Sequence, residues 1–343
     1  MLAKSQNALV LFDNVPDRKP FLMKYINIPN TALRVSQLCL GSEQVGASIT
    51  PTDSMALLDA FVAAGGNFID TAHIYSDWIP GTKSTSEKTI GQWLKANGNR
   101  SQLVIATKGA HPVIETMHIS RLSPAEIAQD IDEGLEYLQT DYIDLYWLHR
   151  DDQAIPVGEI IDVMDEQVKA GKIRYFGASN WTIPRIQAAL DYSASKGINS
   201  FVANQPLFSL AVPNMDQQPD KTIVALDAEG IAFHKRTGMA VVAYSSQAHG
   251  FFTKLDSAGL TSILEPHRSV YNNATNMQRL ERIRELAHRH GAQINDIVLA
   301  YLFSQPFPTI PVIGPKNLDH LQSSLQAVDL TLMPDELAFL GSA

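Results

Sequence analysis

The sequence predicts one α/β domain of the (β/α)8 TIM barrel class, with a β-hairpin ahead of the barrel. Eight short apolar runs are predicted to be strands, and each is followed by a helical pattern or a loop. A chain of 343 residues is long enough for eight such units. A doubly wound open sheet is the alternative fold, but no G-x-G-x-x-G pattern follows the first strand, which disfavours it.

The chain ahead of the first barrel strand divides into two parts. Residues 1–20 show no clear period and are expected to form an irregular arm. Residues 23–35 contain two short β-prone runs around Pro29-Asn30, which predicts a hairpin that can close the bottom of the barrel. The barrel domain is therefore predicted to cover residues 21–343.

The first four barrel strands are short apolar runs separated by helix signals. Thr50 is a predicted cap with Pro51 in the first turn of the helix that separates the first two strands. A capping box that starts at Ser123 opens the helix before the fourth strand. The predicted strands are residues 37–41, 67–70, 103–108 and 142–149.

The second half of the chain continues the alternation of strands and helices. A helix at residues 222–236 is only weakly marked, and residues 253–275 are expected to form a long polar loop. The predicted strands are residues 173–178, 201–205, 239–244 and 309–314, and the predicted helices are 160–170, 183–196, 276–290, 294–303 and 318–327.

Three successive predicted strands end in side chains that can act together. Asp70 ends the second strand, Lys108 ends the third and His149 ends the fourth. Tyr75 follows Asp70 after a short connection. Because the carboxyl ends of parallel barrel strands meet at one mouth, these side chains are expected to converge. A buried Asp70 requires a cationic partner, and Lys108 is the strongest candidate.

Composition and charge narrow the classes of function. The formal net charge of −9 argues against nonspecific binding to nucleic acid. No apolar run is long enough to span a bilayer, and the amino terminus is a poor secretory signal. The single cysteine, Cys39, is expected to be an inert buried thiol, and the lack of a cysteine framework fits the cytoplasm.

Five sequence blocks resemble those of the aldo-keto reductase superfamily. Each block is short, and the signal becomes specific because all five occur in the right order at the ends of successive predicted strands. The resemblance covers essentially the whole chain after the N-terminal arm. The blocks are Asp70-Thr71-Ala72-His73-Ile74-Tyr75, Ile105-Ala106-Thr107-Lys108, residues 141–149, residues 171–180 and Val242-Ala243-Tyr244-Ser245.

The resemblance implies a reductase that transfers hydride from a nicotinamide cofactor, usually NADPH, to an aldehyde or a ketone. It makes Tyr75 the proton donor, Lys108 its cationic neighbour and Asp70 the partner of Lys108. It makes His149 the residue that orients the carbonyl group. Negative charge develops on the carbonyl oxygen and must be met by a positioned acid. Lys108 is expected to lower the pKa of Tyr75 from about 10.

The resemblance also implies where the cofactor binds. Ser179, Asn180 and Gln205 are expected to hydrogen-bond the nicotinamide carboxamide, and Tyr244 is expected to stack on its ring. Gly41 would let the backbone approach a ligand closely. The full set of predicted cofactor residues is Gly41, Ser42, Ser179, Asn180, Gln205, Tyr244, Ser245, Gly314, Lys316, His320 and Ser324.

The phosphate end of this predicted site departs from the family pattern. Many members carry Lys at the position of Gly314 and Arg at that of His320, and Glu-Asn where this chain has Ser323-Ser324. In those family members, the Lys, the Arg and the Glu-Asn pair bind the 2′-phosphate and the adenine of the cofactor. Lys316 can supply charge here, and a helix start offers backbone N–H groups. The sequence therefore predicts NADP, with NAD as the alternative cofactor.

The substrate is predicted only as a class. Trp78 and Trp181 lie just past strand ends at the predicted mouth and are the expected substrate contacts. Flat aromatic walls suit sugar rings and aryl groups equally. The expected reaction interconverts an aldehyde or ketone, with sugars included, and its alcohol.

Other functions fit the same residues. A cofactor-binding redox sensor or regulatory subunit would keep the barrel with little turnover, and a Schiff-base aldolase would use Lys108 as its nucleophile. His73, His111 and His149 lie near one another in sequence, but no pair has H-x-x-x-H spacing, so no metal is expected. The sequence leaves the oligomeric state open.

Overall fold

Eight parallel strands close into a barrel in which each strand pairs with the next along the chain and the last pairs with the first. The computed structural model describes residues 22–342, so the predicted arm at 1–20 lies outside the described residues. The closed barrel confirms the predicted (β/α)8 fold. The strands are β3 (Cys39–Gly41), β4 (Phe68–Asp70), β5 (Val104–Gly109), β6 (Ile143–Leu148), β7 (Ile173–Ser179), β8 (Phe201–Gln205), β9 (Ala240–Ala243) and β10 (Thr309–Ile313).

The predicted hairpin is present ahead of the barrel and is formed by two antiparallel strands, β1 (Tyr25–Asn27) and β2 (Arg34–Ser36). Three apolar side chains of this segment, Ile28, Leu33 and Val35, are buried in one cluster with side chains from the barrel strands. Burying them removes apolar surface from water on both partners. The hairpin therefore closes the end of the barrel opposite the carboxyl ends of the strands.

Helices surround the strands, and several begin at a side-chain cap. The Thr50 side chain accepts a hydrogen bond from the Asp53 backbone N–H, and Ser123 does the same for Glu126. The helices are α1 (Pro51–Ala63), α2 (Thr85–Asn97), α3 (Pro124–Leu138), α4 (Val157–Lys169), α5 (Ile183–Lys196), α6 (Ala228–Thr237), α7 (Phe251–Ala258), α8 (His267–Tyr271), α9 (Ala274–His290), α10 (Ile294–Phe303), α11 (Leu318–Gln326) and α12 (Pro334–Gly341).

Two predictions for the second half of the chain were wrong in detail. The predicted helix at 222–236 begins only at Ala228, because the Asp227 side chain caps that turn. The predicted long loop at 253–275 contains α8 and most of α7. Phe252 at the start of α7 and Tyr271 at the end of α8 are fully buried in an apolar cluster with side chains of α9 and α10. Burial of these rings stabilises two helices that the polar composition of the segment did not predict.

The strand register places the polar strand ends together. Asp70 at the end of β4 pairs with Ala106, which lies two residues before Lys108 on β5. Lys108 in turn pairs with Trp147, which precedes His149 by two residues. Residues two apart on a strand share one face, so the side chains of Ala106 and Lys108 point the same way. Among the helices of the described chain, none is long and apolar enough to cross a membrane.

Candidate active site

Lys108 is the centre of the polar cluster at the mouth of the barrel. Its side chain is 2% exposed. Its Nζ donates to Asp70 Oδ2 at 2.5 Å, to the Thr71 carbonyl oxygen at 2.8 Å and to the Tyr75 hydroxyl oxygen at 2.8 Å. An ammonium group has three donors, so these three bonds saturate it.

The charge of Lys108 follows from its surroundings. Burial lowers the pKa of Lys108, but Asp70 and Tyr75 raise it by more. The pKa of Lys108 therefore lies above its ordinary value, and the ammonium group stays charged at neutral pH. A Schiff base requires a free, unprotonated amine. The saturated ammonium therefore argues against the aldolase alternative.

Asp70 is held by donors on both carboxylate oxygens. Oδ2 accepts from Lys108, while Oδ1 accepts from Trp147 Nε1 at 2.9 Å and from Gln205 Nε2 at 3.1 Å. A buried ion pair is tolerated only when its remaining hydrogen-bonding capacity is satisfied, and three strands supply the donors here. Asp70 thus fixes the position and the charge of Lys108.

Tyr75 presents its hydroxyl group to the cavity. Because Lys108 can only donate, the Tyr75 oxygen accepts that bond and its own O–H proton is free for another acceptor. Burial raises the pKa of Tyr75 and outweighs Lys108, which lowers it, so the pKa is about 12. Lys108 thus acts in the expected direction, but the pKa of Tyr75 is raised because burial dominates. Tyr75 is protonated at neutral pH, the state that a proton donor requires.

His149 lies across the cavity from this group, with its ring centre 6.2 Å from that of Tyr75. Burial, then Arg150, His111 and Lys108, hold the pKa of His149 well below its ordinary value. Its Nδ1 is buried and has no hydrogen-bond partner in the described structure. A neutral imidazole carries one N–H, which can donate to a carbonyl oxygen placed beside Tyr75.

His111 is a cavity residue that the sequence pointed to only as a doubtful metal ligand. Its ring centre is 4.7 Å from that of His149 at 61°, and Nδ1 lies 2.6 Å from the Pro112 carbonyl oxygen. A carbonyl only accepts, so Nδ1 carries the proton. Burial and Arg150 lower the pKa of His111 to about 4, so the ring is neutral. The sequence signal that could have identified His111 as a cavity residue was its position three residues after Lys108.

Arg150 was also missed, although it directly follows His149. Its guanidinium group donates to the His149 carbonyl oxygen at 2.8 Å, to Thr222 Oγ1 at 2.6 Å and to Asp220 Oδ2 at 2.8 Å. These bonds join the end of β6 to the segment between β8 and α6. Arg150 therefore anchors one wall of the cavity.

A cavity of about 360 Å³ joins these groups. Trp78 is 47% exposed at its rim, and its ring meets that of Tyr75 edge to face at 6.4 Å. The predicted site residues that line the cavity are Tyr75, Trp78, Lys108, His149, Ser179, Asn180, Gln205, Tyr244 and Ser245.

The wall formed by β7, β8 and β9 is hydrogen-bonded internally. Asn180 Oδ1 accepts from the Tyr244 hydroxyl at 2.7 Å, and Ser179 Oγ donates to the Gln205 carbonyl oxygen at 2.9 Å. Gln205 is different, because its Oε1 is buried with no partner in the described structure. An unpaired buried acceptor is costly, so a ligand that donates an N–H here would be stabilised. This oxygen fits a carboxamide.

Several predicted site residues lie outside the cavity lining, and Trp181, Ser42 and Gly41 are three of them. Trp181 is 1% exposed, and its Nε1 donates to the Arg150 carbonyl oxygen, so the prediction of a substrate contact was wrong. Ser42 is buried and bonds the Asp70 carbonyl oxygen, which ties β3 to β4. A Cβ on Gly41 would meet Val312 Cγ1 at 2.7 Å, so tight packing against β10 explains this glycine.

The predicted phosphate residues lie around the start of α11. Gly314, Lys316 and His320 are exposed there, whereas Ser324 is buried and donates to the His320 carbonyl oxygen. Space beside Gly314 is open. None of these four residues lines the cavity itself.

Basic groups gather at the cavity end near Ser245. The rings of His249 and His267 stack at 3.7 Å, and both line the cavity. Burial first, and then His267, Lys254 and Lys316, lower the pKa of His249 to about 4. Two lysines and two histidine rings that can take up protons form an environment that favours an anion.

Metal binding finds no support in the described residues. Within 22–342, no group of three or more His, Cys, Asp and Glu side chains could hold a metal ion.

An eight-stranded parallel barrel with its polar cluster at the carboxyl ends of the strands has the architecture of a barrel enzyme. The chain belongs to the Aldo/keto reductase family of oxidoreductases, since the profile of that family matches residues 37–342.

Individual relatives agree with this assignment. Aldo-keto reductase ausK of Aspergillus calidoustus is 29% identical over 97% of this chain and 85% of its own length. The aryl-alcohol dehydrogenase (NADP(+)) of Phanerodontia chrysosporium is 28% identical over 91% of this chain and 83% of its own. A crystal structure of a thermostable aldo-keto reductase with the inhibitor epalrestat has a TM-score of 0.68 at 25% identity, covering 93% of this chain and 99% of that one.

Proposed function

We propose that this protein is an NADP(H)-dependent reductase that interconverts an aldehyde or ketone and its alcohol. The observation that carries the proposal is the hydrogen-bonded chain from Asp70 through Lys108 to Tyr75, which ends at a cavity beside neutral His149. In this hydrogen-bonded series, Asp70 fixes the position of Lys108, and Lys108 fixes that of the Tyr75 hydroxyl oxygen. The only proton left free to leave is that of the Tyr75 hydroxyl.

The chemistry of the site follows from these groups. When bound, a reduced nicotinamide would supply hydride for the carbonyl carbon. Tyr75 donates its proton to the carbonyl oxygen, and Lys108 stabilises the phenolate that remains. His149 donates a hydrogen bond to the same oxygen and holds the carbonyl in place. Asp70 keeps Lys108 charged throughout.

The residues present fit a nicotinamide cofactor. The unpaired Gln205 Oε1 suits the carboxamide N–H, and the Tyr244 ring faces the cavity on the same wall. The basic groups near Ser245 and the exposed Lys316 suit phosphates. NADP is preferred over NAD because Lys316 adds charge, although no arginine stands at His320.

The substrate class we favour is an aryl aldehyde or ketone. Trp78 and Ile114 put exposed apolar surface on the cavity rim, at 47% and 36% exposure. Flat apolar surface favours stacking with a ring. A relative of this chain is an aryl-alcohol dehydrogenase (NADP(+)). We propose a small-molecule partner only, with no role for nucleic acid or a membrane.

The direct test mixes the purified protein with NADPH and a panel of aryl aldehydes, ketones and sugars. We expect the absorbance of the reduced cofactor to fall, fastest with an aryl carbonyl. NADH used more efficiently than NADPH would contradict the cofactor proposal. Clear binding of NADPH with no turnover on any substrate would contradict the reductase and favour the sensor.

Cofactor affinity is expected to rise as the pH falls from 7 towards 5. A bound diphosphate raises the pKa of His249 from about 4, so binding takes up a proton at any pH between the free and bound values. The dissociation constant then falls by at most about tenfold per pH unit for each proton taken up. Calorimetry with ADP-ribose, which lacks the 2′-phosphate, measures this without turnover.

Matched variants identify the group that titrates. His249→Asn should flatten the pH dependence, and asparagine tolerates the left-handed φ of +56° at this position. His118→Asn, on an exposed histidine elsewhere, should leave the dependence unchanged. Equal slopes in all three proteins would rule out proton uptake at His249.

A further inference from the structure

We propose that His73 is a positively charged positioning residue that holds the segment carrying Tyr75 against two flanking helices. Nothing in the predicted catalytic set includes it. The proposal rests on the proposed reductase function, because it concerns the geometry of the proton donor. His73 lies midway between Asp70 and Tyr75 and is 7% exposed.

Both ring nitrogens of His73 face carboxylates. Nδ1 is hydrogen-bonded to Glu87 Oε2 at 3.1 Å, and Nε2 forms an ion pair with Glu133 Oε2 at 3.3 Å. A neutral imidazole has one lone pair, which would face a carboxylate oxygen on one side or the other. A histidine ring can donate an N–H to both carboxylates only if each of its nitrogens carries a proton. The geometry therefore assigns an imidazolium to His73.

The surrounding charges are consistent with this assignment. Burial lowers the pKa of His73, but Glu87, Asp130 and Glu133 raise it by more, so the pKa lies above its ordinary value. The pKa of Glu133 is about 2, lowered first by its hydrogen bond from Gln129 and then by Lys83 and His73. Glu133 is therefore ionised across the whole working range of pH.

Every element packed around His73 contributes to its environment. The charged and titratable groups are Asp77 and Lys83 on the loop before α2, Glu87 and Lys88 on α2, and Asp130, Glu133 and Tyr137 on α3. Tyr137 stacks on the His73 ring at 5.7 Å, and Lys83 pairs with Glu133 at 3.1 Å. The carboxylates nearest the ring outnumber the cations, which favours the charged imidazole.

The backbone of His73 links this ring to the catalytic groups. Its N–H donates to the Lys108 carbonyl oxygen at 2.8 Å, and its carbonyl oxygen accepts from Ser84 Oγ at 2.7 Å. Glu87 also accepts from Thr107 Oγ1, the residue before Lys108. The imidazolium thus fixes the connection between Asp70 and Tyr75 to the strand that carries Lys108.

Loss of the His73 proton is expected to loosen this connection. The ion pairs are complete below pH 6.5 and are lost as the pH rises through the raised pKa of His73. Tyr75 would then sample positions away from the carbonyl oxygen. Small misplacements of a reacting group cost up to about 100-fold in rate, so kcat should fall on the alkaline side with the midpoint of His73.

The test combines histidine NMR with kinetics of the whole protein. In the wild type, the ¹⁵N shifts of His73 should show a doubly protonated ring at pH 6 and a midpoint above 6.5. The ¹³Cζ resonance of Tyr75, assigned with Tyr75→Phe, should follow the same midpoint, and so should kcat. Glu133→Gln should move all three midpoints down together, by about one pH unit.

A matched control and a charge-free variant complete the design. Glu136→Gln, on the exposed face of the same helix, should move none of the midpoints. The double variant His73→Asn with Glu87→Gln removes charge from both buried partners. Its kcat should be about tenfold or more below that of the wild type, and kcat should no longer fall on the alkaline side of the pH profile.

Two results would overturn the proposal. One is a neutral His73 ring at pH 6. The other is a His73 midpoint that moves in Glu133→Gln while those of Tyr75 and kcat stay fixed. If the wild type turns over no carbonyl, the reductase is wrong, and the Tyr75 resonance still decides whether His73 positions that side chain.

Discussion

Replacement of Tyr75 with phenylalanine is expected to lower kcat for carbonyl reduction by about 10²- to 10⁴-fold. The Tyr75 hydroxyl is the only group of the Asp70–Lys108–Tyr75 chain with a proton directed away from that chain. Phenylalanine keeps the ring and its contact with Trp78, so the dissociation constant for NADPH should not change. Steady-state kinetics and cofactor fluorescence measure the two quantities separately.

A half-buried tyrosine far from the cavity provides the control for this variant. Tyr142→Phe alters a ring that lies between two arginines at the far end of the barrel and should leave kcat within about twofold. Because the pKa of Tyr75 is about 12, its own ionisation should not limit reduction between pH 6 and 9. Full activity in Tyr75→Phe would show that another group supplies the proton.

Replacement of Lys108 with methionine is expected to lower the free energy of unfolding by about 3–5 kcal/mol and to abolish turnover. The change leaves the Asp70 carboxylate buried with only Trp147 and Gln205 as donors. Tyr75 also loses the cation that stabilises its phenolate. Urea denaturation of the purified variant measures the loss of stability.

A second substitution separates the two roles of Lys108. Lys108→Met combined with Asp70→Asn removes the unpaired charge, so most of the lost stability should return while activity stays absent. Lys235→Met, on an exposed lysine of α6, controls for the loss of a positive charge. A double variant as unstable as the single one would show that the cost comes from packing rather than from charge.

The convergence of the candidate catalytic residues was predictable because it depends on strand order. Asp70, Lys108 and His149 lie at the ends of consecutive strands. A parallel barrel brings the carboxyl ends of its strands together, independently of how the surrounding helices pack. Trp181 was assigned wrongly because the direction of a side chain just past a strand end depends on the next turn. That turn points Trp181 into the core beneath Arg150.

Other parts of the site come from segments that are distant in sequence. Pro266, His267, Val270 and Tyr271 form a wall of the cavity, yet their segment looked like a polar loop because its buried rings are few. His73 shows the same limit. Its two carboxylate partners lie on different helices, and only the packing of α2 against α3 reveals that they share one ring.

Transfer of hydride to a carbonyl carbon with a proton from Tyr75 is the central claim. The most direct measurement supplies NADPH that carries deuterium at both hydrogen positions of the nicotinamide C4 and analyses the alcohol product by mass spectrometry. We expect one deuterium on the former carbonyl carbon, with the same label found more slowly in Tyr75→Phe. An alcohol without deuterium, or no alcohol while the aldehyde becomes attached to Lys108, would contradict the claim.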